Sequence, residues 1–524
     1  MVSDFILLVL PMFERNIVAA GDRLTAEAAK EVMLKGGNAF DGAVAAVFAA
    51  YMSEPALTSP GGGGFLMAYS PEEGEPLLYD FFVDSVPLRL PPEEVDFRAI
   101  EVDFGDEKQV FHIGMGSVAV PGVVAGLLRV HAERGRLPLE EVLKPAIRYA
   151  REGIYLSRRQ AGFLRLLKDI FTYSPEAREI FAPDGDLVDD RRPFKNLPYG
   201  DFLELLATEG IDVFYAGEIA DRIDTLSVER RGLIRKEDLL RYKTVERKPL
   251  KIEFRGLEIY LNPPPSAGGI LIAFTLLLLE NEDLSAFGSK EHISKLVEAL
   301  YTTNTFRREH IDGNLHREGI ENLLRDGKLL NRYRELFKER LNLWGNTTHI
   351  AVSDREGNIA SVTTTNGEGS GYVIPGFGVM LNNMLGEEDL NPQGFFKWAP
   401  YIRLPSMMCP SVVLKDGQPL LALGSAGSNR IRSAIVQVLL NALVFNMHPQ
   451  EAVDKPRLHL EGEKLYFEPG FGEEVLDLAK RVFGEQNVVL FREKNLFFGG
   501  VQAVAPPLGE GAGDPRRGGV VLTF

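Results

Sequence analysis

Thr347, Thr348 and His349 lie in a stretch, NTTHIAVSDREGNIASVTTT from 346 to 365, whose residue types could carry covalent chemistry. A threonine hydroxyl is a weak nucleophile until a base takes its proton during attack. Cutting the chain between Asn346 and Thr347 would place a free α-amine on the nucleophilic residue itself. Such an amine has a pKa of roughly 7.7–8.0, so a useful share is neutral near pH 7. A base tuned to the working pH contributes on the order of 10²–10⁴ in rate. One cleavage would supply nucleophile and base together.

The elements that must hold these residues are legible around them. Ile350 to Ser353 alternates, Asp354-Arg355-Glu356-Gly357-Asn358 reads as a tight turn, and a second run of small and β-branched residues follows. β-branched residues fit a pleated strand, and Gly-Asn fits a hairpin turn. The prediction is strand, turn, strand, with Thr347 at the leading end. The same composition also serves an ordinary sheet, so the local pattern by itself assigns no chemistry.

Helices are predicted over 25–33 and 40–51, the second capped by Asn38, and over 291–308, 321–340 and 431–445. The apolar run Ile270 to Leu279 is too short to span a bilayer and reads as a buried helix. Four glycines, Gly61 to Gly64, precede Phe65 and permit a close backbone approach. No Gly-Lys-Ser/Thr follows them, which argues against a phosphate loop, and no Gly-x-Ser-x-Gly elbow occurs anywhere.

Composition narrows the function classes. The 524 residues are 45% apolar and 25% charged, the balance of a globular protein. A net charge of −16 argues against nucleic-acid partners and anionic membrane surfaces. Cys409 is the single cysteine, so no intrachain disulfide forms, and no histidine pair has metal-binding helical spacing. Neither metal nor cofactor is expected. The apolar run Phe5 to Phe13 lacks a basic leader and a small-residue cleavage site, so a cytoplasmic location is expected.

Thr347-Thr348-His349, then Gly357-Asn358, then Thr363-x-Thr365 resembles the γ-glutamyltranspeptidase family of N-terminal-nucleophile hydrolases. The similarity continues in Gly36 to Ala46, the glycines before Phe65, Gly116 to Gly126, Pro263 to Gly269, Gly424 to Arg430, and Gly513-Asp514-Pro515-Arg516-Arg517. The resemblance implies an α+β fold, an αββα four-layer sandwich with extra helices in the large subunit. It also implies a precursor that cuts itself at Asn346–Thr347 into chains 1–346 and 347–524, which remain one intertwined domain. The two chains would form a heterodimer, with further dimerisation left open. By the same resemblance Thr347 is the nucleophile, Thr365 orients its amine, and the N–H groups of Gly427 and Ser428 hold the oxyanion. Thr348, His349 and Thr363 would support them, and Phe82, Asn383, Glu387 and Ser406 would line the substrate site.

Three departures bear on the small-molecule amide that such an enzyme would take. Phe82 stands where the family has an arginine for the substrate's α-carboxylate, and Arg403 is the nearest replacement in sequence. Met384 replaces a glutamine, and Pro405 replaces the first serine of a Ser-Ser-Met element. Only 18 positions separate Glu387 from Pro405, so a short or missing lid is expected. The expected activity is cleavage of γ-glutamyl, glutathione-like amides with transfer to water or an amine. The same machinery on a glutaryl- or oxamate-type amide and a catalytically silent binding protein stand as alternatives.

Overall fold

A computed structural model describes residues 13–103, 108–334 and 347–524. Asn346, the 1–12 part of the apolar N-terminal run, and the 335–340 end of the last predicted helix of the large subunit lie outside the described residues.

Two antiparallel sheets form the centre. The first has seven strands, in spatial order Val520–Thr523, Ile17–Ala20, Thr348–Ser353, Ile359–Thr365, Gly63–Tyr69, Leu77–Phe81 and Val245–Arg247. The second has six: Glu510–Ala512, Gly500–Ala505, Gln418–Ala426, Ser411–Lys415, Leu257–Leu261 and Leu250–Phe254. The sheets face each other, and Gly424 of the second lies directly against the His349 imidazole of the first, where any Cβ would strike the ring. Helices Arg23–Leu34 and Ala39–Ser53 cover the outer face of the first sheet, and Ala267–Leu279 and Arg430–Leu443 cover the second. This is the αββα layering expected from the resemblance, with a helical region over 123–241 added beside it.

The helix Ala39–Ser53 is buried along its whole length, which explains its alanine content: small side chains let sheet and helices approach on every side. Asn38 caps it, accepting from the N–H groups of Phe40 and Asp41, while the Asp41 carboxylate returns a bond to the Asn38 N–H. Within the hairpin Thr363 faces His349 and Thr364 faces Thr348. The apolar run from 270 is the core helix Ala267–Leu279. One helix differs from expectation. The pattern over 321–340 gives a 3-10 segment, Ile320–Arg325, and a separate helix from Gly327 to Arg334, because Asp326 leaves helical geometry and its carboxylate caps the Lys328 and Leu329 N–H groups. Among the described residues no helix is long and apolar enough to cross a membrane, and no group of three acidic, histidine or cysteine side chains could hold a metal ion.

Candidate active site

Thr347 stands one residue before the strand Thr348–Ser353 and is 4% exposed. The register ends at the pair Thr364–Thr348, and Thr365 and Thr347 are the next residues at that end of the hairpin. The Thr365 hydroxyl accepts the N–H of Gly367 at 3.0 Å. Beneath it the glycine quartet has a steric cause. A Cβ at Gly62 would strike the Thr365 carbonyl, and one at Gly64 the Thr363 carbonyl, so only glycine lets these backbones meet.

His349 is 1% exposed, with Nδ1 at 2.7 Å from the Thr363 hydroxyl. Burial pushes its pKa down to about 3, so the imidazole is neutral. It is a pillar between the sheets. Thr363 and His349 thus stabilise each other two residues behind Thr365 and Thr347.

A second turn comes to the site from the other sheet. After the strand Gln418–Ala426, Gly427 has φ +119° and Ser428 φ +49°, before the helix Arg430–Leu443 begins. The Ser428 hydroxyl donates to Asp389 Oδ2 at 2.6 Å, which helps to hold a left-handed conformation that serine rarely adopts. Arg517 joins this turn to Thr347. Its Nη1 donates to the Thr347 carbonyl at 3.4 Å, and its Nη2 lies 3.6 Å from where a Cβ of Gly427 would stand. Arg517 is buried, and desolvation lowers its pKa to about 10.

The substrate-side residues separate into two groups. Asn383 and Glu387 come to the site: their side-chain oxygens close on Gly367, where a Cβ would meet both. Asn383 Oδ1 accepts from the Glu368 and Gly369 N–H groups, and its Nδ2 donates to Glu368 Oε2 at 3.2 Å. Glu368 and Glu387, both buried, and the half-buried Asp389 therefore form a group of carboxyls between Thr365 and Ser428. Desolvation first, and then the charges of Glu368 and Asp389, push the Glu387 pKa well above the usual carboxylate range.

Phe82 and Ser406 are engaged elsewhere. The Phe82 ring is 1% exposed and stacks on Phe65 at 5.4 Å. The Ser406 hydroxyl accepts the Met408 N–H at 3.0 Å, and its carbonyl takes the Ser266 hydroxyl and the Ala267 N–H, fastening the turn from 263 to 269. Arg403 is no spare cation. It donates to the Phe82 and Lys243 carbonyls and the Tyr242 hydroxyl, and its Nε lies 3.2 Å from Asp84 and 3.5 Å from Asp80. The lid segment, 391–403, carries no helix or strand. It is pinned by Trp398 Nε1 on the Val86 carbonyl, with Phe395 and Phe396 against Phe97.

Sequence reasoning missed Glu54, Glu368, Asp389 and the contact made by Arg517. Arg517 was visible as part of the closing Gly-Asp-Pro-Arg-Arg motif. Asp389 stands in the run Glu387-Glu388-Asp389 with no motif of its own, and Glu54 belonged to no pattern at all.

Comparison with known proteins agrees with this geometry. Residues 25–524 match the family model described as Gamma-glutamyltranspeptidase. The glutathione hydrolase proenzyme of Escherichia coli K12 is 29% identical, the match covering 96% of this chain and 90% of that one. The acylase ACY 1 proenzyme of Pseudomonas sp. strain SE83 is also 29% identical, over 96% of this chain and 95% of its own. In fold, cephalosporin acylase from Bacillus halodurans superposes with a TM-score of 0.84 at 24% identity, covering 98% of this chain and 96% of that one. Helicobacter pylori gamma-glutamyltranspeptidase aligns with a TM-score of 0.54 at 27% identity, over 60% of this chain and 90% of that one. The chain belongs to the gamma-glutamyltranspeptidase family of hydrolase and acyltransferase enzymes.

Proposed function

We propose that the chain is a precursor that cuts itself between Asn346 and Thr347 and then cleaves γ-glutamyl amides, passing the acyl group to water or to an amine. Thr347 attacks through its hydroxyl, and its own α-amine takes the proton. Thr365, at the same end of the hairpin, orients that amine. The N–H groups of the Gly427–Ser428 turn receive the developing oxyanion, a stabilisation that typically supplies about 2.7–4 kcal/mol per donor. Collapse of the tetrahedral species expels the amine and leaves an ester on Thr347, which water or a second amine resolves.

The observation that carries the choice of acyl group is the carboxyl cluster of Glu368, Glu387 and Asp389 beside Thr365 and Ser428. Glu387, buried beside Gly367 with Glu368 and Asp389 facing it, suits an ammonium, and a γ-glutamyl group brings one, while Arg307 and Arg430 face Asp389 from its other side. The E. coli relative is named a glutathione hydrolase, which supports the same reading. Phe82 and the occupied Arg403 favour a second reading for the other half of the substrate, in which the α-carboxylate goes ungripped.

Purified protein should run as chains of 346 and 178 residues, with Thr347 first in the shorter one, and Thr347→Ala should remain whole. Active protein with Thr347 internal to the chain would overturn the mechanism. Three anilides then separate the two halves of the acyl group. γ-Glutamyl carries amine and carboxylate, 4-aminobutanoyl the amine alone, and glutaryl the carboxylate alone. The 4-aminobutanoyl compound should come within about tenfold of γ-glutamyl in kcat/KM, since tenfold is roughly 1.4 kcal/mol, less than a charge-assisted bond. Glutaryl turnover above both would show that the cluster does not read an ammonium.

A further inference from the structure

Glu54 follows the helix Ala39–Ser53 and is completely buried, and among the described residues no arginine or lysine is bonded to it. Its two oxygens accept two hydroxyls: Oε1 takes Thr25 and Oε2 takes Thr348, both at 2.8 Å. Thr25 lies on the first helix, and Thr348 is the first residue of the strand that begins beside Thr347. Room for the carboxyl is made by Gly21, where any Cβ would collide with Glu54 Oε2. A buried carboxyl held only by hydroxyls is costly, and such groups concentrate where an enzyme uses them.

We propose that Glu54 is a positioning residue for Thr347: as a carboxylate it holds the Thr348 hydroxyl and fixes the head of the strand, and on protonation it weakens that hold. The reasoning is one of hydrogen counting. An ionised carboxylate accepts from both threonines at once. A protonated one must donate its own O–H, so one of the two hydroxyls has to turn round, and the strand head is held by a neutral hydrogen bond in place of a charge-assisted one. Thr347 is the adjacent residue, and its carbonyl is held from the other side by Arg517 at 3.4 Å.

The charges around Glu54 are few. Asp22 faces it from the N-terminal cap of the first helix, and Arg517 from the closing turn. Arg517 is in turn faced by Asp514 and by Arg159 of the helix Arg158–Leu166, while Glu27 faces Asp22. Thr25, Ser53 and Thr348 do not titrate near neutrality. Burial, reinforced by Asp22, pushes the Glu54 pKa up to about 7, so the change in its hold falls within the working range of a Thr347 amine.

This rests on Thr347 being the nucleophile, and the test separates the two claims. The measurement is kcat of the mature enzyme on γ-glutamyl anilide from pH 5 to 9. In wild type the amine must lose a proton and protonating Glu54 costs about a further tenfold, so the total fall across the acid limb should exceed the amine's own by about tenfold. Glu54→Gln cannot ionise and should show the amine's own fall alone, with its rate at pH 8 lowered about tenfold. Thr348→Val severs the contact and should flatten the limb equally, while Thr348→Ser keeps the hydroxyl and should restore the wild-type limb. Thr348→Val decides the matter if Glu54→Gln does not fold. A wild-type limb in Glu54→Gln or Thr348→Val overturns the role of Glu54. A wild-type protein uncut at Thr347 overturns the nucleophile instead.

Discussion

His349 and Glu54 are both buried against the Thr348 strand, yet they couple stability to pH with opposite sign. The His349 pKa falls from 6.5 to about 3, so between those values the unfolded chain binds a proton that the native protein refuses. Its contribution is present above pH 6.5 and lost as pH falls, on the order of 3 kcal/mol by pH 4.5. The Glu54 pKa rises from 4.5 to about 7, so there the native protein holds the proton and the unfolded chain releases it. That contribution is complete below pH 4.5 and lost as pH rises through 7, again on the order of 3 kcal/mol. Denaturant unfolding of uncut Thr347→Ala protein at pH 4.5, 6 and 8 checks both signs. Adding Glu54→Gln should cost stability at pH 4.5 and recover it at pH 8. Adding His349→Gln should cost most at pH 8 and least at pH 4.5. Two variants moving in parallel with pH would refute the assignment. Residues of this kind were unevenly visible in the sequence. His349 stood inside a motif, whereas the need for Glu54 exists only once three separate segments have met.

One short element carries two of the site's contacts. The 3-10 turn Glu388–Leu390 follows Glu387, whose oxygen reaches Gly367, and contains Asp389, which takes the Ser428 hydroxyl at 2.6 Å. The turn thereby links the pocket beside Thr365 to the turn proposed to hold the oxyanion. Burial and the charges of Glu368 and Asp389 push the Glu387 pKa well up, and an arriving ammonium, which favours the carboxylate, pulls it back down. Substrate binding is then linked to loss of a proton, so KM for γ-glutamyl anilide should fall as pH rises above the usual carboxylate range. KM for the glutaryl compound should not follow. Glu387→Gln should remove this dependence and raise the γ-glutamyl KM by about 10–100-fold, the worth of one charge-assisted bond. An unchanged KM–pH profile in Glu387→Gln would show that the proton belongs to another group. The hairpin over 348–365 was readable because alternation and a Gly-Asn turn are local signals. The 321–340 pattern misled because Asp326 and Gly327 break a helix that apolar spacing alone continues. Likewise, of the run Glu387-Glu388-Asp389, the fold buries the first and keeps the second exposed, a choice made by distant chain.

At the scale of the molecule, the layered fold followed from the order of family elements, but how the segments before and after 346 interleave required the strand register. In the first sheet Ile17–Ala20 is inserted between Val520–Thr523 and Thr348–Ser353, paired antiparallel with both. In the second, Leu257–Leu261 pairs with Ser411–Lys415. A cut at Asn346–Thr347 therefore leaves both sheets built from two chains, with hydrogen-bond ladders and the shared core crossing between them. Neither product closes a sheet alone: the shorter chain would lose the strand that joins its last strand to its first, and the longer would lose the middle of the seven-stranded sheet. Edges exposed in that way invite aggregation rather than independent folding. The mature chains should therefore co-elute as one particle without denaturant, and unfold in one transition seen equally by a probe on either chain. After full denaturation, the chains mixed should regain activity and either alone should not. A shorter chain that keeps a cooperative unfolding transition after separation would show that the two segments are independent domains, and that the interleaved sheets do not bind them into one.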